Sequence, residues 1–312
     1  MKKLLYILIF LTGIAAKAQH PVMATYCMNN AGGFDPDAKR YMDTLTAAGA
    51  TLSDVKKKAI DTLFRDLKGR FNPRYTTYNV YSRFSAMYIL NHGTAACNKW
   101  NAIDPRDRDS SFRLSFAGAV VHNTTGLECT ATGRYANTFW VPSARVTLSP
   151  FISHSYLFYN NNPTIGSTSY DMGASGTNDQ TNGLFLSAYR AAAPDHGAIR
   201  FYANATANIS GTPASIRGLY QFYVNGSNAG KTDYYFNGSL RLTGSTTNST
   251  NGMLPTLPVY LGAINWQGNT PFGSGAGRRY PFAAIMTGSL SPSEIASIYN
   301  AVNNYLTATS SN

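Results

Sequence analysis

Most enzymes that cleave glycosidic bonds need two carboxylates flanking the scissile bond, so the acids of this chain bound what it could catalyse. There are 15 Asp and Glu residues in 312. The only glutamates are Glu128 and Glu294. Glu294 completes the pattern Ser291-Pro292-Ser293-Glu294, a capping box with Pro at the first helical position. Glu128 stands alone beside Cys129, outside any E-x-D-x-x-E pattern. Asp104, Asp107 and Asp109 cluster ahead of a strand-like stretch, where capping and ion pairing account for them better than proton transfer. His20, His92, His122, His154 and His196 form no H-x-x-x-H pair. His154 lies on a strand pattern and reads as a strand residue before it reads as a base. There is no G-x-S-x-G elbow, no P-loop and no G-x-G-x-x-G after a strand. Gly273-Ser274-Gly275-Ala276-Gly277 precedes a late strand instead of a helix and reads as a connection. No residue is assigned a catalytic role.

The elements that would carry a site follow from periodicity. Lys2 and Lys3, an apolar run from Leu4 to Ile14 and Ala16-Lys17-Ala18 make a secretory signal peptide cut after Ala18. The run is well short of the roughly 20 residues of a membrane span. A polar leader covers 19–34. Ala38, Tyr41, Met42, Leu45 and Ala48 recur at helical spacing after Asp35-Pro36. Val55, Ala59, Ile60, Leu63, Phe64 and Leu67 do the same after Ser53. A third, shorter helix is expected near Tyr81–Tyr88. Residues 35–95 therefore read as a helical subdomain, and 96–312 as a β domain. Strand-like runs there include Ser155–Tyr159, Leu184–Tyr189, Leu219–Val224, Tyr234–Leu242, Val259–Ile264 and Tyr280–Met286, separated by Gly-, Asn- and Ser-rich loops. Asn237-Gly238 is a hairpin dipeptide. A closing helix is expected over 292–306.

Composition narrows the partners. Charged residues are 13%, against ~25% in ordinary soluble domains. The formal charge of +11 falls to +8 once Lys2, Lys3 and Lys17 leave with the signal. It reflects scarce acids more than abundant bases, so nucleic acid is set aside. Of three cysteines, Cys27, Cys97 and Cys129, an odd count leaves one unpaired. Export permits a disulfide such as Cys97–Cys129.

Tyr234-Tyr235-Phe236-Asn237-Gly238, then Val259-Tyr260-Leu261-Gly262-Ala263, then Phe282–Ile285 leading to Ser289–Glu294 resembles the last third of laminin-G-like domains. There a Y-x-N-G hairpin, an x-I-G strand and an L-T-x-x-E helix recur in that order. Asp66-Leu67-Lys68-Gly69, Asp104-Pro105-Arg106-Asp107, Phe112–Phe116 and His122–Gly126 resemble proteins of bacteroidete bacteria and their phages, a virion structural or tail-fibre-like group. The resemblance spans most of 35–306. Val120 departs from it, standing where that group has Trp, and a signal peptide does not suit a virion protein. It implies a mainly β, concanavalin A-like β-sandwich (jelly roll) with an N-terminal helical subdomain and a C-terminal helix.

Such domains bind glycans or proteins at the sandwich rim, sometimes through calcium. Calcium wants several oxygen ligands; Asp171 and Asp179, flanking a Gly/Ser/Thr/Asn loop, are the candidates. Asn265-Trp266-Gln267 sets a ring for sugar stacking beside two amides and is the candidate ligand site. The expectation is an exported, non-enzymatic glycan-binding or adhesion module, secreted or on the cell surface, taking a glycan or cell-surface ligand. Its alternatives are a structural or receptor-binding component of a phage-like particle and a glycan-degrading enzyme.

Overall fold

The structure is a computed structural model. It describes residues 33–69, 79–129, 133–147, 152–162, 170–176, 183–188, 198–201, 207–208, 215–225, 231–245, 254–268, 270–272 and 278–310. The chain divides into a unit Met1–Asp35 and a unit Pro36–Asn312. The first is described only over 33–35, so the signal peptide, most of the leader and Cys27 lie outside the described residues. The helices and strands named below all belong to the second unit.

Two helices form where the 3.6-residue pattern placed them, α1 at Pro36–Ala47 and α2 at Asp54–Leu67. Ser53 caps α2, its hydroxyl accepting from the Lys56 N–H. The third expected helix does not form. Tyr81–Arg83 is one 3-10 turn, and Phe84–Ile89 is strand β1, antiparallel to a late strand. Apart from Ser85 its run is apolar, because both faces are buried. Met87 and Ile89 face one core, Ala86 and Tyr88 another. A short run of this kind carries no period that separates strand from helix.

After the short helix α3 (Ala95–Asn98) come β2 (Ser115–Ala117), β3 (Val121–Asn123), β4 (Gly126–Glu128) and β5 (Tyr135–Asn137). Next are β6 (His154–Asn160), β7 (Met172–Ala174), β8 (Leu184–Ser187), β9 (Ala198–Phe201) and β10 (Ala207–Asn208). The last part holds β11 (Gly218–Asn225), β12 (Lys231–Phe236), β13 (Ser239–Ser245), β14 (Tyr260–Leu261), β15 (Ile264–Trp266), β16 (Thr270–Phe272), β17 (Arg279–Tyr280) and β18 (Phe282–Thr287). The chain closes with α4, Pro292–Ser310.

One sheet has the order β1-β18-β6-β11-β12-β13 and is antiparallel throughout. A second has the order β10-β9-β8-β7-β14-β5-β2, with the β15–β16 hairpin joined to β7. A third is β17-β4-β3. Alternation along the first sheet decides the layering. On β6, β11 and β18, Leu157, Tyr159, Leu219, Tyr223, Phe282 and Ala284 pack with α1, α2 and α4. Tyr156, Phe158, Tyr220, Phe222, Ala283 and Ile285 point the other way, onto Met172, Leu184, Leu186 and Leu261 of the second sheet. The result is mainly β, a two-sheet sandwich with helices laid on the far face of one sheet.

Asn237 and Gly238 carry the positive φ values, 51° and 73°, that the two-residue turn between β12 and β13 requires. The capping box at α4 is reciprocal. Glu294 Oε2 accepts from the Ser291 N–H at 2.7 Å, and Ser291 Oγ accepts from the Glu294 N–H at 3.3 Å. Ser291→Ala removes one half of it and should lower stability by about 1 kcal/mol in urea unfolding.

Where α2 packs on α4, Asp66 lies part-buried and hydrogen-bonded to Asn304; burial raises its carboxyl from 3.8 to about 6. A raised folded pKa means that the acid helps the fold below about pH 4 and that this help is lost as pH rises through 6. Asp66→Asn should therefore raise the melting temperature at pH 8 and leave it unchanged at pH 4. An equal shift at both values would contradict this account.

Candidate functional site

The rings of the outer sheet carry the site. Leu184 and Leu186 of β8 point into the sandwich, so Phe185 between them points out. It is only 4% exposed, because other rings cover it. Trp266 lies with its centroid 5.4 Å from that of Phe185, and Tyr170 lies at 5.7 Å. Phe272 on β16 touches both covering rings, 5.3 Å from Trp266 and 6.0 Å from Tyr170. Phe272 is itself 52% exposed, and Trp266 and Tyr170 are half-buried. The four rings make one apolar patch with a buried floor.

The hairpin is held by its backbone and by Ser175. In β15 and β16, Trp266 pairs with Thr270 and Ile264 with Phe272; β15 also runs parallel to β7, Ile264 opposite Gly173. A side chain at Gly173 would meet Ile264 Cγ1 at 3.0 Å and the Leu184 carbonyl oxygen at 2.4 Å, so glycine is what lets the hairpin lie against β7. Ser175 Oγ donates toward the Asn265 carbonyl and accepts from the Gln267 N–H at 2.8 Å. Gln267 and Gly268 then take positive φ, 53° and 76°, to turn the chain.

The three candidate ligand residues thus have three different surroundings. Trp266 joins the ring patch. Asn265 is 3% exposed, and its side-chain amide donates to the Pro258 carbonyl. Gln267 sits half-buried at the turn. Sequence reasoning placed all three in a loop, whereas Asn265 and Trp266 belong to a strand. It also missed Tyr170, Phe185 and Phe272, the first two of which lie far upstream of the hairpin that carries the third.

Of the two calcium candidates, Asp179 lies outside the described residues. Asp171 is buried within the sandwich. One oxygen accepts from the Tyr280 hydroxyl at 2.7 Å, the other from the Ala188 N–H, and Arg278 Nε stands 3.3 Å away. Each oxygen thus already accepts one hydrogen bond inside the core, and the neighbouring guanidinium opposes any cation there. Among the described residues no group of three or more His, Cys, Asp or Glu side chains is arranged to hold a metal ion.

Several other titratable groups among the described residues are committed elsewhere. Glu128 Oε1 takes Arg279 Nε at 2.6 Å and Asn123 Nδ2 at 2.7 Å. Asp104 pairs with Arg106, Asp107 with Lys99 and Arg113, and Asp109 with Arg113. Hydrogen bonds from Arg106 and Lys99 hold the Asp104 and Asp107 carboxyls below their usual range. His154 is fully buried, its Nδ1 against the Ile152 carbonyl, and burial lowers its pKa to about 4. A neutral histidine cut off from solvent is not a general base. Cys97 and Cys129 are free thiols in two separate cores, so the disulfide that export would permit between them does not form. Burial pushes the Cys129 thiol up to about 12.

No protein-family model and no curated protein matches the chain. Solved structures do. A Trypanosoma rangeli sialidase mutant displaying trans-sialidase activity superposes over 85% of this chain at a TM-score of 0.52 and 12% identity. Trypanosoma rangeli sialidase in complex with a difluoro-KDN compound superposes over 86% at 0.50 and 14% identity. This chain spans only 39% and 38% of those two chains. Domain 4 of AbnA, an extracellular arabinanase of Geobacillus stearothermophilus, covers 69% of the chain at a TM-score of 0.40. The fold is therefore one that recurs in sialidase chains. This corrects the expectation of a non-enzymatic adhesion module. That expectation rested on missing carboxylate patterns, and a sequence pattern is no test when partners converge from distant segments of a sandwich.

Proposed function

We propose that this chain is an exported glycan-degrading protein, and that its concanavalin A-like sandwich seats a carbohydrate chain on the rings of Tyr170, Trp266 and Phe272. The ring patch is the observation that carries the reading. Phe272 touches both Trp266 and Tyr170, and these three rings reach solvent over a fourth that is buried. Contiguous apolar surface of this kind marks a binding site more often than chance. The C–H face of a sugar ring lies flat on such a plate and keeps its hydroxyls in water at the edge.

The likeness to sialidase chains favours glycan breakdown over simple adhesion, and Lys2-Lys3, Leu4–Ile14 and Ala16-Lys17-Ala18 favour export. The test is release of reducing ends from a panel of neutral and acidic polysaccharides by the protein starting at Gln19. Release from at least one polysaccharide is expected, and it should survive Glu128→Gln because Glu128 is bound to Arg279 and Asn123. No release from any member of the panel overturns the proposal.

A further inference from the structure

The outward face of the second sheet carries more than the hairpin rings. Val259 and Leu261 point into the sandwich from either side of Tyr260, so Tyr260 of β14 points out. The same alternation turns Tyr135 and Asn137 outward around Ala136 on β5, and Gly173 outward between Met172 and Ala174 on β7. Register sets these residues in one line. Met172 is opposite Leu186, which brings Gly173 opposite Phe185. Gly173 is opposite Tyr260, Tyr260 is opposite Asn137, and Asn137 is opposite Ser115 of β2. The line crosses β8, β7, β14, β5 and β2 in that order. With neighbouring strands about 4.8 Å apart, it runs about 19 Å.

The line is a continuous surface as well as a register. Ile264 is also opposite Gly173. Its side chain lies over that glycine, where a Cβ would meet Ile264 Cγ1 at 3.0 Å. Ile264 thus fills the step between the hairpin rings and Tyr260. Beyond that step Tyr260 stacks on Tyr135, with ring centroids 4.0 Å apart and planes 15° from parallel. Both tyrosines are half-buried, and neither belongs to either core of the sandwich. The far end is polar. Ser115 is exposed. Asn137 Oδ1 accepts from the Phe139 N–H at 2.9 Å, which keeps the amide nitrogen as a donor.

Resting on the reading that the ring patch seats a glycan, we propose that Tyr260 and Tyr135 form a second sugar-binding plate. The ligand is then the interior of a linear polysaccharide, laid across the strands from Trp266 toward Ser115. A terminal sugar needs one plate. Two plates two strand spacings apart, about 10 Å, with an apolar bridge between them, suit separate units of one extended chain. The tyrosine hydroxyls, Asn137 and Ser115 suit the hydroxyls that such a chain carries along its edges. A short sugar covers one plate and gains nothing from the other. A chain that spans both gains from each, because its second contact is made within a molecule already bound.

Chain length is therefore the test. The full chain is titrated in a calorimeter with cello-, manno-, xylo- and arabino-oligosaccharides, each graded from disaccharide to hexasaccharide. In at least one series affinity should climb about tenfold once the sugar spans both plates, the usual weight of a tyrosine at a hot spot. Tyr260→Ala should remove that gain from the hexasaccharide and leave the disaccharide unchanged. Trp266→Ala should weaken every length. Affinity independent of length in the parent overturns the proposal. So does Tyr260→Ala acting equally on disaccharide and hexasaccharide, or on neither; if Trp266→Ala still weakens binding, the ring patch stands without the second plate. Trp266→Ala with no effect at any length overturns the ring patch and this proposal with it. Should Tyr260→Ala fail to fold, Tyr135→Ala and the length dependence of the parent decide.

Discussion

Arg278→Met should lower the unfolding free energy by about 3–5 kcal/mol at pH 8, the usual result of removing one partner from a buried ion pair. The loss comes from stranding Asp171, whose carboxylate lies fully buried beside Tyr280 and Ala188. Because its carboxyl already sits high, the stranded group escapes by taking a proton as pH falls. The penalty should therefore shrink toward pH 5. Asp171→Asn combined with Arg278→Met removes both charges, and pairs replaced together are often neutral. Urea unfolding of the two variants at pH 5 and pH 8 separates these effects. A single variant as stable as the parent at pH 8 would mean that the pair carries no net weight.

Trp266→Ala should cost glycan affinity about 2 kcal/mol, the usual loss at a tryptophan hot spot, or roughly thirtyfold. The structure sharpens what happens to stability. Trp266 packs on Phe185 and Phe272, so its loss uncovers the floor of the patch. Aromatic pairs contribute about 0.5–1.5 kcal/mol each. A small drop in melting temperature should accompany the large loss of affinity. Phe272→Ala, more exposed and outside the sandwich core, should weaken binding with less effect on melting. If either variant unfolds the sandwich, the patch is a structural lid and its rings are not a ligand platform.

Much of the architecture was legible because it rests on local periodicity. α1, α2 and α4 follow from stripes of apolar residues between caps, and the β12–β13 hairpin follows from Asn237-Gly238. β1 was not legible, because burial on both faces erases the alternation that marks a strand. Phe112–Phe116 alternates, but Phe112 takes a left-handed conformation with φ of 57° at the end of a 3-10 turn. Only Ser115–Ala117 joins the sheet. The site divides in the same way. Trp266 was visible as a ring beside amides outside the core pattern. Its partners Tyr170, Phe185 and Phe272 were not, since sheet pairing alone brings them together. Asp171 looked like a free loop carboxylate because Arg278 and Tyr280 lie more than 100 residues away.

The central claim, that the ring patch seats the glycan, is tested most directly by tryptophan fluorescence. The chain has three tryptophans; Trp140 is fully buried, Trp100 nearly so, and Trp266 stands partly in solvent. Titration with a polysaccharide that gives reducing ends in the panel assay should shift the emission to the blue and shield it from iodide quenching. Trp266→Phe should abolish both changes while the fold is retained. The same shift and shielding in Trp266→Phe, or tight binding with no change in the parent, would place the glycan elsewhere on the molecule.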